Sequence, residues 1–187
     1  MNANSAEHST AATDPAAALD TIAPDRWSQH LPPSVCEHLA NLDVTVFLVD
    51  DDASDTAQFS ERYGFGLEVC ANTIVLRTKT AAGEQYAAVV SLGSRRLDVN
   101  GLVKAALGAR RISFAKREDA VEHSKMEFGG ITAFGLPSDW TILVDAAVMA
   151  CPQVVMGAGV RAAKLLLQPS ALLSLSNVSV AELTEKA

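Results

Sequence analysis

Three glycines and a proline occur within ten residues of the sequence, in the segment FGGITAFGLP at 128–137. A second glycine turn, GAG, follows at 157–159, and a β-branched segment opens with Asn72 and Thr73. Glycine permits backbone angles and close approaches that a side chain would forbid. If the three segments converge, they form a pocket lined mostly by backbone N–H and C=O groups. Such dipoles can position an ester carbonyl and stabilise an oxyanion, whereas turns that only connect strands are the alternative.

The established patterns of side-chain catalysis are absent from the sequence. None of the four histidines accompanies a G-x-S-x-G nucleophile elbow, and there is no P-loop, dinucleotide fingerprint or zinc motif. The carboxylates of Asp50–Asp52 are adjacent in sequence, whereas Mg²⁺ and Ca²⁺ sites need spaced ligands that converge on one point. Capping of the helix that follows, by an Asp or Ser of the segment DDDASDTAQFSERYG, is the favoured interpretation of this region. We therefore expect no metal and no cofactor.

Charge is divided unevenly along a chain whose formal net charge is −7. Residues 1–76 contain 2 basic and 12 acidic residues, and the rest of the chain contains 13 basic and 10 acidic residues. The C-terminal basic residues could contact phosphates, with ordinary solvated faces as the alternative. They include the pairs Arg95/Arg96, Arg110/Arg111 and Lys116/Arg117, with Arg161 and Lys164 further on. The negative total argues against a general nucleic-acid binder, and we expect no binding to DNA.

The composition predicts one cytoplasmic domain. A chain of 187 residues with 49% hydrophobic content is long enough to bury one hydrophobic core and too short for two domains of typical size. No apolar run approaches the roughly 20 residues of a membrane span, and the first residues lack the pattern of a secretory signal. Three widely spaced cysteines favour a reducing compartment. We expect a disordered or loosely docked tail at 1–25 and a single domain at 26–187.

Hydrophobic periodicity and turn residues predict intermixed strands and helices. The first elements are a helix at 34–42 with Ser34 as N-cap, a strand at 44–49, a helix from about 54 to 63 that ends at Gly64, and strands at 72–77 and 86–92 joined near Gly83. Then follow a short strand, a helix at 99–107 that ends at Gly108, a strand at 112–114, a helix over KREDAVEHS, strands at 140–145, 153–159 and 163–168, and a final helix from Pro169. Strict βαβ alternation is absent, which predicts a mixed sheet with helices packed on it.

An ordered set of segments resembles the YbaK/ProX family of aminoacyl-tRNA deacylases: NTIVLR, SLGSRRLDVNGLVKAALGARRISFA, MEFGGITAFGLP, ILVDAAV, VVMGAG and LLLQPSALLSL. The likeness covers about residues 44–175. The family is related to the editing domain of bacterial prolyl-tRNA synthetase, which the segments also resemble. The resemblance implies an α/β fold with a curved mixed sheet flanked by helices. It also implies hydrolysis of the ester that joins a wrong amino acid to the tRNA 3′-terminal adenosine, with tRNA as partner and an aminoacyl-tRNA synthetase as a further candidate.

The resemblance implies a set of site residues. Catalytic roles fall to the backbone of Gly129 and Gly130 around the aminoacyl carbonyl, and to Asn72 at the terminal ribose or phosphate. Substrate contacts fall to a larger set: Thr73, Thr132, Ala133, Gly135, Asp145, Gly157, Ala158 and Gly159. In the family, water is the nucleophile and the substrate's own hydroxyl or side chain assists it.

Three positions depart from the family pattern. Asn72 replaces the lysine of K-T-L-V, Ala133 stands where the glycine loop has a proline, and Gly157 opens a turn that is S-A-G in the family. A lysine–phosphate contact contributes roughly 1.5–3 kcal/mol, so Asn72 predicts weaker tRNA binding with the oxyanion site retained. Besides a deacylase, two functions stay open. One is a non-catalytic binding module for the tRNA 3′ end, a nucleotide or an amino acid, and the other is a protein that docks on partners through its acidic half.

Overall fold

The computed structural model of the protein describes residues 15–53 and 55–185. The strands in this part of the chain are β1 Asp20–Ile22, β2 Val44–Leu48, β3 Cys70–Thr80, β4 Gly83–Leu92, β5 Arg111–Phe114, β6 Thr141–Asp145, β7 Val154–Gly157, β8 Ala163–Leu167 and β9 Val178–Ala181. The α-helices are α1 Pro33–Leu39, α2 Thr56–Tyr63, α3 Lys104–Ala106, α4 Arg117–Ser124 and α5 Ala146–Met149. Shorter helical turns lie at Pro15–Ala18, Pro24–Gln29, Asp51–Ala53, Val99–Val103 and Pro169–Ser174.

All of these strands belong to one mixed sheet. Its order is β1-β2-β8-β7-β3-β4-β6-β9, and β5 pairs with β3 beside this path. The pairs β3–β7, β4–β6 and β6–β9 are parallel, and the other pairs are antiparallel. Helices and sheet occur together in one α/β architecture, so the predicted mixed fold is confirmed.

The longest pairing in the sheet is the hairpin of β3 and β4. Its register runs from Ala71 opposite Leu92 to Thr80 opposite Gly83. The β-branched residues of both strands favour this extended ladder, and Gly83, with a φ of 122°, begins β4 directly after the turn. Both predicted strands are confirmed, and each is several residues longer than the apolar pattern indicated.

The ends of α2 follow from its sequence. The Asp55 carboxylate accepts a hydrogen bond from the Ala57 N–H at 3.0 Å, which makes Asp55 the N-cap. Gly64 ends the helix in the left-handed conformation, as predicted. The prediction for α1 was wrong at both ends, because Pro32 is the N-cap, Ser34 lies inside the helix and the helix ends at Leu39 instead of residue 42.

Several other elements differ from the sequence prediction. Of the predicted tail, residues 1–14 lie outside the described residues, while β1 adds an edge strand to the sheet and Trp27 Nε1 donates to the Ile22 carbonyl at 3.0 Å. The predicted short strand before Val99 is reduced to a single bridge between Leu97 and Thr184. The predicted final helix is the 3₁₀ turn at Pro169–Ser174, and the pattern gave no indication of β9. The edge strand β1, the Leu97–Thr184 bridge and β9 depend on partners that are distant in the chain.

Apolar side chains pack on both faces of the sheet. One large cluster joins α1, β7 and β8 to the glycine loop, where Ala133 and Phe134 are fully buried. A second cluster packs α2 on the sheet through Phe47, Phe59 and Phe65, whose ring centroids lie 5.7–6.5 Å apart. These clusters fix α2 and the glycine loop on β3 and its neighbours.

Candidate functional site

Along one edge of β3, strand pairing is interrupted between the two neighbouring strands β7 and β5. Strand β7 pairs with Cys70 and Ala71, and β5 pairs with Leu76 to Lys79 on the same edge. Within residues 15–53 and 55–185, no strand pairs with 72–74 along this edge. The interruption therefore leaves backbone polar groups of β3 open to a ligand.

The backbone of Thr73 faces the interruption. Alternate residues of the strand direct their N–H and C=O groups to alternate edges in such a ladder. On the interrupted edge, the Val69 carbonyl accepts the Val155 N–H at 2.9 Å and the Val75 carbonyl accepts the Ala115 N–H at 3.0 Å. Since 69, 73 and 75 have the same parity, the N–H and C=O of Thr73 point to that edge as well.

A cavity of about 500 Å³ opens at the interruption, which is within the range of small-molecule sites. Four residues predicted from the sequence line it together: Asn72, Thr73, Gly129 and Gly157. They come from β3, the glycine loop and the end of β7, which the fold brings to one place. Most of the remaining lining is apolar, including Phe59 of α2.

The two glycine turns are joined through their backbones. The Gly159 N–H donates to the Gly130 carbonyl at 2.7 Å, and the Gly130 N–H donates to the Glu127 carbonyl at 2.9 Å. A Cβ on Gly157 would collide with the carbonyl oxygens of Gly130 and Ile131. Only glycine permits this approach, so the paired turns form one closely packed wall of the cavity.

Gly129 and Gly130 differ in what their N–H groups can do. Gly129 lines the cavity with a φ of 91°, a conformation that favours glycine. Its N–H donates to no acceptor among the described residues, whereas the Gly130 N–H is held by Glu127. Of the two predicted catalytic donors, the Gly129 N–H is therefore the one available to a carbonyl oxygen.

Two buried threonine hydroxyls have no hydrogen-bond partner within the described part of the chain: those of Thr73 and Thr132. A buried polar group left without a partner costs about 1–3 kcal/mol. Thr73 lines the cavity, so a polar ligand could satisfy its hydroxyl. Thr132 does not line it, and its N–H lies 3.5 Å from the Met126 sulfur.

Asn72 connects β3 to the start of α2. The Thr56 hydroxyl donates to Asn72 Oδ1 at 2.6 Å, and both residues line the cavity. The amide nitrogen of Asn72 makes no hydrogen bond to a described residue, so two donors are available to a ligand. At the position of the family lysine, the chain thus presents a neutral donor fixed by a neighbouring hydroxyl.

The other residues predicted from the family do not line the cavity: Gly130, Thr132, Ala133, Gly135, Asp145, Ala158 and Gly159. The fully buried Asp145 carboxylate accepts from the Leu183 N–H at 3.1 Å and from the Thr184 hydroxyl at 3.0 Å. It therefore fixes the C-terminal segment to β6. Gly135 packs on Ser34 and Gly159 on Pro32, so the far ends of both turns support the start of α1.

The cavity has two charged side chains, of which the sequence indicated Lys164 only as a member of the basic C-terminal set and did not indicate Asp55. Among the described lining residues, Asp55 and Lys164 are the charged ones. Lys164 is only 6% exposed, and its Nζ lies 5.6 Å from the centroid of the Phe59 ring. Burial lowers the pKa of Lys164, and Asp55 opposes that shift. A lysine inside the otherwise apolar strand AKLLL was the signal that could have identified it.

Cys70 is the one cysteine among the described residues that line the cavity. Burial raises the pKa of its thiol to about 11, so the thiol is protonated at neutral pH. The thiolate is the nucleophilic form of cysteine, and a protonated, buried thiol is inert. Cys70 therefore contributes apolar surface to the cavity.

Two further properties concern the described residues. No helix among them is long and apolar enough to cross a membrane. Their His, Cys, Asp and Glu side chains form no group of three or more that could hold a metal ion.

Residues 50–175 match the family model of the aminoacyl-tRNA editing domain. The match extends from the end of β2 through the glycine loop to the 3₁₀ turn after β8, and it includes the strands that form the cavity. The chain belongs to the aminoacyl-tRNA editing domain family, and the resemblance found in the sequence is confirmed. No curated protein matches the sequence significantly.

Solved structures share this fold at low sequence identity. A proposed trans-editing enzyme for prolyl-tRNA synthetase is 20% identical with a TM-score of 0.69, over 83% of this chain and 99% of that one. The hypothetical protein APE2540 is 23% identical with a TM-score of 0.72, over 81% and 99%. A protein described as a candidate for signal transduction, from Marinobacter aquaeolei, is 17% identical with a TM-score of 0.58, over 84% of this chain and 31% of that one. These likenesses establish the fold.

Proposed function

We propose that the protein is a trans-acting aminoacyl-tRNA deacylase that hydrolyses the ester of mischarged tRNA in the cytoplasm. The observation that supports this most directly is the convergence of Asn72, Thr73, Gly129 and Gly157 on one cavity at the interrupted edge of β3. Family membership supplies the reaction class. Aminoacylated tRNA is the substrate, and an aminoacyl-tRNA synthetase is a further candidate partner.

Hydrolysis in this cavity needs a water nucleophile and a donor for the carbonyl oxygen. The water oxygen bonds to the ester carbonyl carbon, and the bond from that carbon to the ribose oxygen breaks. The proton that the water gives up passes to the ribose oxygen, which leaves as a hydroxyl. The Gly129 N–H is the proposed donor for the negative charge that develops on the carbonyl oxygen, since it has no acceptor among the described residues. The backbone and hydroxyl of Thr73 orient the substrate.

Lys164 supplies positive charge to the same cavity. In the proposed function it takes over part of the role of the lysine that Asn72 replaces, because its buried ammonium lies in the cavity wall. Charges in a poorly hydrated cavity interact more strongly than they do in water. An anionic oxygen of the terminal nucleotide or of the transition state is the partner that this ammonium would attract.

The direct test is to incubate the purified protein with a panel of mischarged tRNAs and to measure the loss of ester. We expect hydrolysis above the buffer rate for at least one member. Thr73→Val keeps the shape of the side chain and removes the hydroxyl, so kcat/KM should fall about tenfold while stability is unchanged or higher. Thr132→Val is the matched control, because it removes a hydroxyl that is also buried and unpartnered but lies outside the cavity.

The results separate the proposal from its alternatives. No ester loss for any tRNA would contradict a deacylase. Equal effects of Thr73→Val and Thr132→Val on turnover would contradict the proposed position of the substrate.

A non-catalytic binding module is the second candidate function. It is favoured by Asn72, which places a neutral amide in the cavity where the family pattern has a lysine. Tight binding of a tRNA 3′ end, a nucleotide or an amino acid without ester loss would support this alternative.

A further inference from the structure

Two exposed phenylalanines lie at the rim of the cavity. Of the six phenylalanines in the chain, four are buried: Phe47, Phe59, Phe65 and Phe134. Phe114 is 62% exposed and Phe128 is 46% exposed, and both line the cavity. A single exposed apolar residue is ordinary, but two exposed rings on one cavity indicate a surface that a partner covers.

Phe114 stands between two cavities. It ends β5 opposite Leu76 of β3, beside the interrupted edge. A second cavity of about 490 Å³ shares Asn72, Ile74 and Phe114 with the first. Arg95 and Arg96 line that second cavity together with the carboxylates of Asp98 and Glu185, and Arg96 Nε lies 3.5 Å from Glu185 Oε1. A chain of nucleotides that leaves the first cavity past Phe114 would therefore meet Arg95, while Arg96 is paired with Glu185.

Phe128 lies directly before Gly129 in the glycine loop. The guanidinium carbon of Arg117 is 5.1 Å from the centroid of its ring. Through this cation–π contact, Arg117 of α4 holds the Phe128 ring and places a positive charge beside it. The ring, its guanidinium neighbour and the Gly129 N–H therefore belong to one side of the cavity.

We propose that Phe114 and Phe128 form a base-stacking platform for the unpaired 3′-terminal bases of tRNA. The inference deepens the proposed function and rests on it for the identity of the RNA. Single-stranded RNA is recognised mainly by stacking of its bases on aromatic rings, with cationic groups near the phosphates. Both features occur at this rim.

The composition of the rim favours nucleobases over a membrane or an apolar protein surface. The exposed large aliphatic side chains of the described residues lie outside both cavities: Leu67, Leu102, Leu173 and Val180. The rim itself has two aromatic rings and an arginine, without the broad aliphatic patch that such partners need. Nucleobases can stack individually on the exposed faces of these two rings.

The test measures binding of short RNAs to the full-length protein by fluorescence anisotropy at low salt. One probe is a labelled single-stranded ACCA, and the other has the same phosphates with abasic sugars at its last two positions. The wild type should prefer ACCA. Phe114→Ala and Phe128→Ala should each weaken ACCA binding by roughly 5- to 100-fold and leave binding of the abasic probe unchanged.

Phe114→Tyr and Phe128→Tyr keep a stacking ring and should bind ACCA as the wild type does. Leu173→Ala is the matched control, because Leu173 is 54% exposed and lies outside both cavities. Equal wild-type affinity for the two probes, no binding of ACCA, or unchanged binding by the alanine variants would overturn the platform.

This binding assay does not depend on ester hydrolysis. If the alanine variants lose ACCA binding while the wild type hydrolyses no mischarged tRNA, the platform stands and the deacylase proposal fails. If the wild type hydrolyses mischarged tRNA and the alanine variants match it in ACCA binding, the platform fails and the deacylase proposal stands.

Discussion

The charge of the cavity depends on single residues of β3 and β8. Asn72 stands at the position of the family lysine, while Lys164 brings an ammonium into the same cavity from another strand. The two residues are 92 positions apart in the chain, and only β7 lies between their strands in the sheet. A positive charge at this site is therefore compatible with the loss of the lysine at position 72.

Replacing Asn72 by lysine should restore the family's contact to the terminal nucleotide. We expect tighter tRNA binding by roughly tenfold or more, because a lysine–phosphate bond contributes about 1.5–3 kcal/mol. Loss of the 2.6 Å hydrogen bond from Thr56 and repulsion from Lys164 would limit the gain. The slope of binding against salt concentration should steepen by about one charge.

Asn72→Gln is the neutral control for this change. Binding titrations at several salt concentrations measure both quantities. Identical affinities and salt slopes for the Lys and Gln variants would show that no phosphate approaches this position.

Replacing Lys164 by methionine should change both activity and the pH dependence of stability. Burial lowers the pKa of Lys164 below its ordinary 10.5, so the unfolded chain binds more protons between the folded pKa and 10.5. The contribution of Lys164 to the free energy of unfolding of the wild type therefore rises with pH in that window. The Met variant lacks this contribution, so any stability advantage it has at pH 7 should shrink as pH approaches 10.5.

Urea denaturation of both proteins between pH 7 and 10.5 measures this difference. Lys79→Met, at an exposed position of β3, serves as control. A difference in unfolding free energy that grows with pH would refute the assignment of a buried ammonium. The rate of deacylation should fall at least tenfold in Lys164→Met. Unchanged turnover would show that Lys164 does not contribute to the reaction.

At the scale of elements, the interrupted edge of β3 is the central feature. Strands β7 and β5 share that edge and leave four residues, 72–75, between them without a strand partner in the described part of the chain. The glycine turns meet there because Gly157 permits contact with the carbonyls of the neighbouring loop. The site is therefore a property of how strands and turns meet, and it combines backbone polar groups with a few polar side chains.

The Asp145 carboxylate joins the end of β6 to the segment after β9. It accepts hydrogen bonds from Leu183 and Thr184, which follow β9. Asp145→Ala should destabilise the protein by about 1–3 kcal/mol for each buried donor left without an acceptor. Chemical denaturation measures the loss.

Thr184→Val removes one of the two partners of Asp145 and should cost less than Asp145→Ala. The opposite pattern, with stability unchanged and tRNA affinity lost in Asp145→Ala, would place the carboxylate at the substrate, as the family resemblance implied.

At the scale of the whole molecule, one nine-stranded sheet in the described residues brings distant segments together. The cavity combines residues from α2, β3, β5, β7, β8 and the glycine loop. Local patterns cannot specify such a combination, because they encode which face of an element is apolar and not which element covers it. For this reason Phe114 and Phe128 were not predicted as site residues, and Lys164 was predicted only as one of several basic residues that could contact phosphates.

The sequence by itself determined the local elements and the family. Gly64 at the end of α2, the β3–β4 hairpin and the order of the glycine turns follow from short-range chemistry, since caps, turns and β-branched runs act within a few residues. Tertiary structure alone decided which predicted residues share a cavity. Gly129 lines it while the Gly130 N–H is held by Glu127, and Asp145 is bonded to the C-terminal segment. Those assignments depend on contacts between residues far apart in the chain, which only folding creates.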